Sequence, residues 1–307
     1  MYKNRNIYLC SFYSLDLYPS YTRFMQQAKK IDIFDDIFVY NQFNLPTDKK
    51  FEDNFYHKLK AKNRYGYWVW KPFIILNEMI KINEEDIIIY MDIGCNINDS
   101  GIKRLYEYLD IVIEYDNLCF ELEFLEKCWT KGDLFNYFNK INDKSVTDSK
   151  QRCATGLILK KTEKNVSFLK EWLDVFYNDF SLIDDTKSHI HNLDGFIENR
   201  HDQSAFSILS KIHNFHSISA KEFETNDHNF PFNASRDKKF IGEKFTKDIG
   251  WLVPIKNMRD EIRNYLKYNI NNFLSIHLGY KKAKSISDKI VYNFFNLILK
   301  NEVNKYL

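Results

Sequence analysis

Short apolar runs and helically spaced apolar stripes follow one another along the first two-thirds of this chain. "NIYLCSFY" (6–13) reads as a strand, "SYTRFMQQAKKI" (20–31) as the helix behind it, and "DDIFVYN" (35–41) as a second strand. "FEDNFYHKLKA" (51–61) keeps the helical period. "KPFIILNEMIKI" (71–82) does too, with Pro72 suited to a first helical turn. "DIIIYMD" (86–92) is apolar on both faces, as a strand covered from both sides must be. Asp99 and Ser100 offer an N-cap to a helix over 101–115. Beyond it the pattern predicts a strand at "LCFELE" (118–123), a helical 125–141, a strand at "CATGLILKK" (153–161) and a helix over 163–179. A long polar connection (181–202) precedes a helix at 203–214 and a strand at "FHSISA". Connections of that length inside a compact domain usually carry function. The order predicts an α/β fold with a mixed, mostly parallel sheet flanked by helices. The chain turns irregular over 226–250 and is helical beyond. This divides it into a domain of residues 1–250 and a helical extension of residues 251–307, ending in "KIVYNFFNLILKNEVNKYL". That segment sets Ile, Val, Phe and Leu beside lysines, which suits a peripheral contact with a membrane surface, or a homodimer mate.

Composition removes several function classes. With 44% apolar residues in 307 the chain can bury a large core, and a net charge of +2 lacks the basic excess of a nucleic-acid binder. Five dispersed cysteines without a CxxC pair read as reduced thiols of a cytoplasmic protein rather than a disulfide framework or zinc site. No apolar window is long enough to span a membrane. GxGxxG, the P-loop, HExxH and GxSxG are all absent from the sequence.

Candidate chemistry lies at the ends of the predicted elements. Asp92 closes its strand where open α/β sheets meet ligands, with Gly94, Cys95, Asn96 and Asn98 just after it. A carboxylate there can hold a divalent cation or accept from a ribose, and Gly94 allows close approach of a diphosphate to the main chain. The plainer reading of Asp92 is a turn and cap. "RYGYWVWKP" (64–72) embeds Arg64 and Lys71 among aromatics, where a cation needs an anion. Trp129, Lys131 and Asp133 stand together in "CWTKGD". Arg200, His201, Asp202 and Gln203 open a helix, which a capping role for Asp202 explains only in part.

Taken in order, "RYGYWVWKPFIIL", "DIIIYMDIGCNIN", "WTKGDLF", "ATGLILKK" and "RHDQSAFSIL" resemble a bacterial family of GT-A-type glycosyltransferases of lipopolysaccharide and capsule biosynthesis, over roughly residues 5–240. The resemblance implies a GT-A-like fold, a hexose-type sugar passed from a nucleotide-sugar donor to a glycan or lipid-linked acceptor, and action at or near the inner membrane. Asp92 matches the first aspartate of the family's DxD motif, while Gly94 replaces the second. A Mn²⁺ or Mg²⁺ cofactor would therefore need another ligand, from Asn96, Asn98 or the region of His228 and Asn233. The resemblance places Arg64, Lys71, Asp92, Gly94, Asn96 and Lys131 on the donor side, and His201, Gln203 and Trp129 on the acceptor side. Asp202 becomes the candidate base and, with Asp92, a catalytic residue. Two alternatives stay open: a non-catalytic glycan-binding module using the aromatic segment, and a transferase acting on a protein acceptor.

Overall fold

The computed structural model describes residues 1–14, 17–42, 44–60 and 64–238, with five isolated positions beyond (Ile270, Ile286, Lys289, Ile290 and Asn293). In chain order the elements are β1 (Ile7–Phe12), α1 (Tyr18–Lys30), β2 (Asp36–Tyr40), α2 (Lys49–Lys60), α3 (Arg64–Tyr67), α4 (Trp70–Met79), β3 (Ile87–Met91), β4 (Asn96–Ile97), α5 (Ile102–Tyr115), β5 (Asn117–Leu125), α6 (Gly132–Tyr137), α7 (Lys144–Thr147), β6 (Lys150–Lys160), α8 (Glu163–Asn178), α9 (Asp202–Ile212), β7 (Ser217–Ser219) and β8 (Phe232–Asn233). The expected α/β architecture is present.

Six strands form one sheet in the order β2-β1-β3-β6-β5-β7, and β4 pairs with β8 in a small second sheet. β1 and β3 are parallel, as are β5 and β7; β6 lies antiparallel between β3 and β5. All five residues of β3 are buried, as its unbroken apolar run requires of a central strand. Ile87, Ile89 and Tyr90 are fully buried, and Trp172, Phe168 and Phe206 of α8 and α9 fill the same core.

Because β6 runs against β3, its middle residues lie beside the end of β3. Met91 pairs with Gly156, and the Asp92 N–H donates to the Thr155 carbonyl at 2.8 Å. A Cβ on Gly156 would come within 2.8 Å of Met91 Sδ and Phe223 Cζ, so any larger residue there would displace those side chains.

Several local expectations change. Asp99 and Ser100 do not cap α5. A 3₁₀ turn over Asp99–Gly101 intervenes, and Gly101 precedes α5 without a side-chain cap. Asp99 instead pairs with Lys30 at 2.9 Å, and the Ser100 hydroxyl donates to the His228 carbonyl. The helical reading of 125–141 shrinks to a turn over Glu126–Cys128 and to α6. Conversely, Thr162 caps α8 through its hydroxyl, which accepts from the Asn165 N–H.

The chain divides into two compact units, residues 1–12, 20–39 and 47–238, and residues 13–19, 40–46 and 239–307. The expected boundary at residue 250 and the extension over residues 251–307 with its amphipathic end, those five positions apart, lie outside the described residues. Among the described residues no helix is long and apolar enough to cross a membrane.

Candidate functional site

Asp92 stands where β3 ends and the chain turns. Its carbonyl accepts from the Cys95 N–H at 2.9 Å, closing a tight turn. Its carboxylate is held on one oxygen: Oδ1 accepts from the Tyr90 hydroxyl at 2.6 Å and lies 3.5 Å from Lys71 Nζ. The other oxygen accepts no hydrogen bond among the described residues, and 30% of the side chain is exposed. One face of this carboxylate is thus fixed, and the other looks outward.

Lys71 comes from the first turn of α4, and the chain reaches it by an unusual route. Tyr65, Gly66, Tyr67 and Trp68 have φ of 48°, 73°, 51° and 60°, a left-handed turn made largely of non-glycine residues. Each such residue costs roughly 1–2 kcal/mol, so packing must hold the turn. Phe12 stacks on Tyr65 and Trp70, with centroids 5.3 and 4.0 Å apart, and the Tyr67 hydroxyl donates to Asp185 at 2.6 Å. Gly66 is needed here, because its φ is positive and a Cβ would sit 2.8 Å from Leu59. The crowded aromatics of this segment bend the backbone so that Lys71 enters the core.

Asp202 is the first residue of α9, 4% exposed, and its Oδ2 lies 2.8 Å from Lys71 Nζ. The Lys71 ammonium also donates to the Ala154 carbonyl at 3.1 Å. One buried lysine therefore joins two carboxylates 110 residues apart in sequence. Burial works against its charge, but Asp202 and then Asp92 outweigh burial and keep Lys71 protonated, above the usual lysine range. Burial pushes Asp202 up to about 6, with Lys71 opposing and the charge of Asp92 adding to the rise. With both carboxylates ionised the trio carries one net negative charge.

The residue before Asp202 is strained. His201 has φ 57° and ψ −124°, a conformation few non-glycine residues adopt. Its Nδ1 lies 2.6 Å from the Ile183 carbonyl, and its ring packs on Tyr67 and Trp68. It also lines a cavity of about 450 Å³ beneath the 184–201 connection, shared with Lys131, Asp185 and Phe196. Gln203 does not face outward: its amide donates to Gln151 at 2.8 Å and accepts from the Ala154 N–H, tying α9 to β6. Trp129 is half-buried, with the Arg200 guanidinium 4.0 Å over its ring.

Three of the expected donor-side residues are engaged within the chain. Lys131 is buried and spends its three N–H donors on the Ser181, Asp184 and Thr186 carbonyls, so it anchors the long connection and offers a diphosphate no donor. Gly94 is not open to a ligand. Asp237 N–H donates to its carbonyl, and residues 236–238 lie over it, with Arg236 Cα 3.5 Å and Lys238 Cγ 3.6 Å from where a Cβ would stand. Asn96 is spent on Gln27 and Ser235. Arg64 opens α3, and its side chain lies outside the described residues.

A metal finds a limited donor set. The Asn98 amide nitrogen donates to Asn233 Oδ1 at 2.5 Å and to the Phe230 carbonyl, so the Asn233 oxygen is engaged, as is that of Asn96, which accepts from Gln27. No group of three His, Cys, Asp or Glu side chains among the described residues could hold a metal ion. The outward oxygen of Asp92 remains. It suits a Mg²⁺ or Mn²⁺ ion that arrives with a diphosphate and takes one protein carboxylate, as hard cations with phosphate ligands do.

Sequence reading missed the supports of this site. Glu126 is fully buried and accepts from Thr130, Gln151, Ser207 and Lys211. Through Gln151 it reaches Gln203. Arg23 clamps the turn after Asp92, donating to the Ile93 and Cys95 carbonyls at 2.7 and 3.1 Å and pairing with Asp237 at 2.6 Å. Only the neighbours brought together by folding reveal either.

No protein-family model and no curated protein matches this chain. Among solved structures it is similar to mouse xyloside xylosyltransferase 1 in its apo form, at 10% identity and a TM-score of 0.37, over 70% of this chain and 84% of that one. It is also similar to the glycosyltransferase GlyE of Streptococcus pneumoniae TIGR4, at 12% identity and a TM-score of 0.36, over 71% of this chain and 46% of that one. The chain thus spans under half the length of GlyE.

Proposed function

We propose that this chain is a glycosyltransferase that takes a hexose-type sugar from a nucleoside-diphosphate donor and passes it to a hydroxyl of a surface glycan such as lipopolysaccharide or capsule. One observation carries the reading: a buried lysine joins Asp92, at the end of a central strand, to Asp202, at the start of a helix. Sugar transfer builds positive charge at the anomeric carbon and negative charge on the leaving diphosphate. A trio with one net negative charge stabilises the first and repels the second. The outward oxygen of Asp92 would hold a divalent cation, which would supply the positive charge that the trio itself does not offer a diphosphate. When bound, that cation offsets the leaving group's charge.

Asp202 takes a different part from the base expected of it. At 4% exposed and paired with Lys71, it is a positioning residue that holds the lysine and sets the charge of the trio. Tyr90, donating to Asp92, fixes which oxygen faces the donor. The acceptor lies on the side of His201 and Trp129.

The test is thermal stability against UDP, GDP, CMP and dTDP, each with Mn²⁺ and with EDTA. A nucleotide at about one hundred times its dissociation constant stabilises the protein by roughly 2.7 kcal/mol, a visible shift. A shift with one nucleotide, lost in EDTA, is the expected result. No shift with any nucleotide, but binding of free glycan, would replace this reading with that of a glycan-binding module.

A further inference from the structure

A cavity of about 520 Å³ lies at the end of the sheet around β5 and β6, with no part in the site just described. Arg152 enters from β6, Lys211 from the last turn of α9 and Glu121 from β5, with Lys140, Asp143, Asn214 and Phe215 among the other lining residues. The charges divide unevenly. Lys140 is paired with Asp143 at 2.9 Å and Lys211 with Glu126 at 2.5 Å. Arg152 forms no ion pair among the described residues: its Nη1 donates to Ser210 Oγ at 3.3 Å, and its Nε is buried without an acceptor. Glu121 stands opposite Arg152 in the strand register, and neither it nor the Asn214 amide forms a side-chain hydrogen bond or ion pair among the described residues. Among the described residues one guanidinium edge thus has no anion, and two hydrogen-bonding groups beside it have no side-chain partner.

The planar edge of an arginine matches two oxygens of a phosphate or carboxylate. A bare anion fits poorly here, because Glu121 on the wall repels it and the volume far exceeds one phosphate. A ligand with an anionic head and a neutral, hydroxylated body answers each feature. We propose that this cavity binds a sugar phosphate. The phosphate lies on the free edge of Arg152 with Lys211 alongside. The sugar hydroxyls donate to Glu121 and meet the Asn214 amide, and the ring rests against Phe215. Lys211 also donates to Glu126, and Glu126 reaches Gln203 through Gln151, so the occupied cavity touches the same polar chain that seats α9.

Titration calorimetry in EDTA tests this with glucose 1-phosphate, inorganic phosphate and glucose on the intact chain. Glucose 1-phosphate is expected to bind at one site, at least tenfold more tightly than inorganic phosphate and with no measurable binding of glucose. Asp92→Asn should bind it as the wild type does, which separates this cavity from the nucleotide-sugar site and makes the outcome independent of the transferase reading. Arg152→Lys keeps the charge but loses the fork, and should weaken binding at least tenfold. Asn214→Ala, at an exposed position, should weaken glucose 1-phosphate severalfold and leave inorganic phosphate unchanged. Glu121→Gln distinguishes the remaining case: if Glu121 is the true partner of Arg152 in solution, this change frees the fork and tightens inorganic phosphate. That result would overturn the proposal. So would no binding of glucose 1-phosphate, its loss in Asp92→Asn, or wild-type affinity in Arg152→Lys.

Discussion

Replacing Lys71 with methionine removes the one cation between two carboxylates while filling most of its volume. Lys71 is 3% exposed, and Asp202, 2.8 Å away, is 4% exposed. Asp202 would be left as a buried carboxylate without its counter-ion, and breaking such a pair on one side costs about 3–5 kcal/mol. The loss should depend on pH, and its sign follows from Asp202. In the wild type its pKa is raised to about 6, from an ordinary value of 3.8. The native state therefore binds the Asp202 proton more tightly than the unfolded chain does. Stability associated with that proton is fully present below the unfolded pKa and is lost as pH rises towards the folded one, by roughly 1.4 kcal/mol per unit. In the wild type the loss ends near pH 6. Without Lys71, the group that opposes the rise, the folded pKa climbs further and the loss continues above 6. Urea unfolding followed by tryptophan fluorescence at pH 5.5 and 8 measures the difference. Lys71→Met should be less stable than the wild type at both, with the larger deficit at pH 8. A deficit below about 1 kcal/mol, or one equal at both pH values, would refute the reasoning.

Other perturbations test the supports. Gly101→Ala drives a Cβ into the Phe230 and Pro231 backbone, so it should destabilise by about 1–3 kcal/mol; an unchanged melting temperature would show that this contact is not made. Glu126→Gln leaves Lys211, 10% exposed, without its carboxylate, and a loss of about 3–5 kcal/mol is expected in urea unfolding; a neutral outcome would place Lys211 elsewhere. Turnover should fall as pH drops through about 6, because protonation of Asp202 releases Lys71 and removes the net negative charge of the trio. A rate flat between pH 5 and 8 would show that this charge does not matter to the reaction.

The six strands of the main sheet and the long helices were legible because burial imposes periods on sequence: an all-apolar run of strand length read as the doubly covered β3, and Asp92 stood visibly at its end, whereas the two-residue β4 and β8 are too short to show a period. The strand at 153–161 was legible too, but not that β6 runs antiparallel, since a run buried on both faces carries no sign of direction. Asp99 and Ser100 looked like a cap, but a cap depends on backbone geometry that neighbouring partners can outbid, as Lys30 and the His228 carbonyl do here. Lys131 and Lys71 are alike in sequence, each beside aromatics at a helix start. One is spent on loop carbonyls and the other on two distant carboxylates, a difference set entirely by what folds against each. Gly94 suggested room for a ligand, but residues 236–238 fill that room.

The most direct measurement is release of nucleoside diphosphate from a panel of nucleotide sugars, in Mn²⁺, by the wild type and by Asp92→Asn, with unfolding curves recorded for both. The account predicts turnover with one donor class, falling at least about a hundredfold in the variant while its stability stays near that of the wild type. Equal turnover in the two proteins, or none from any donor, would contradict the placing of sugar transfer at the end of β3.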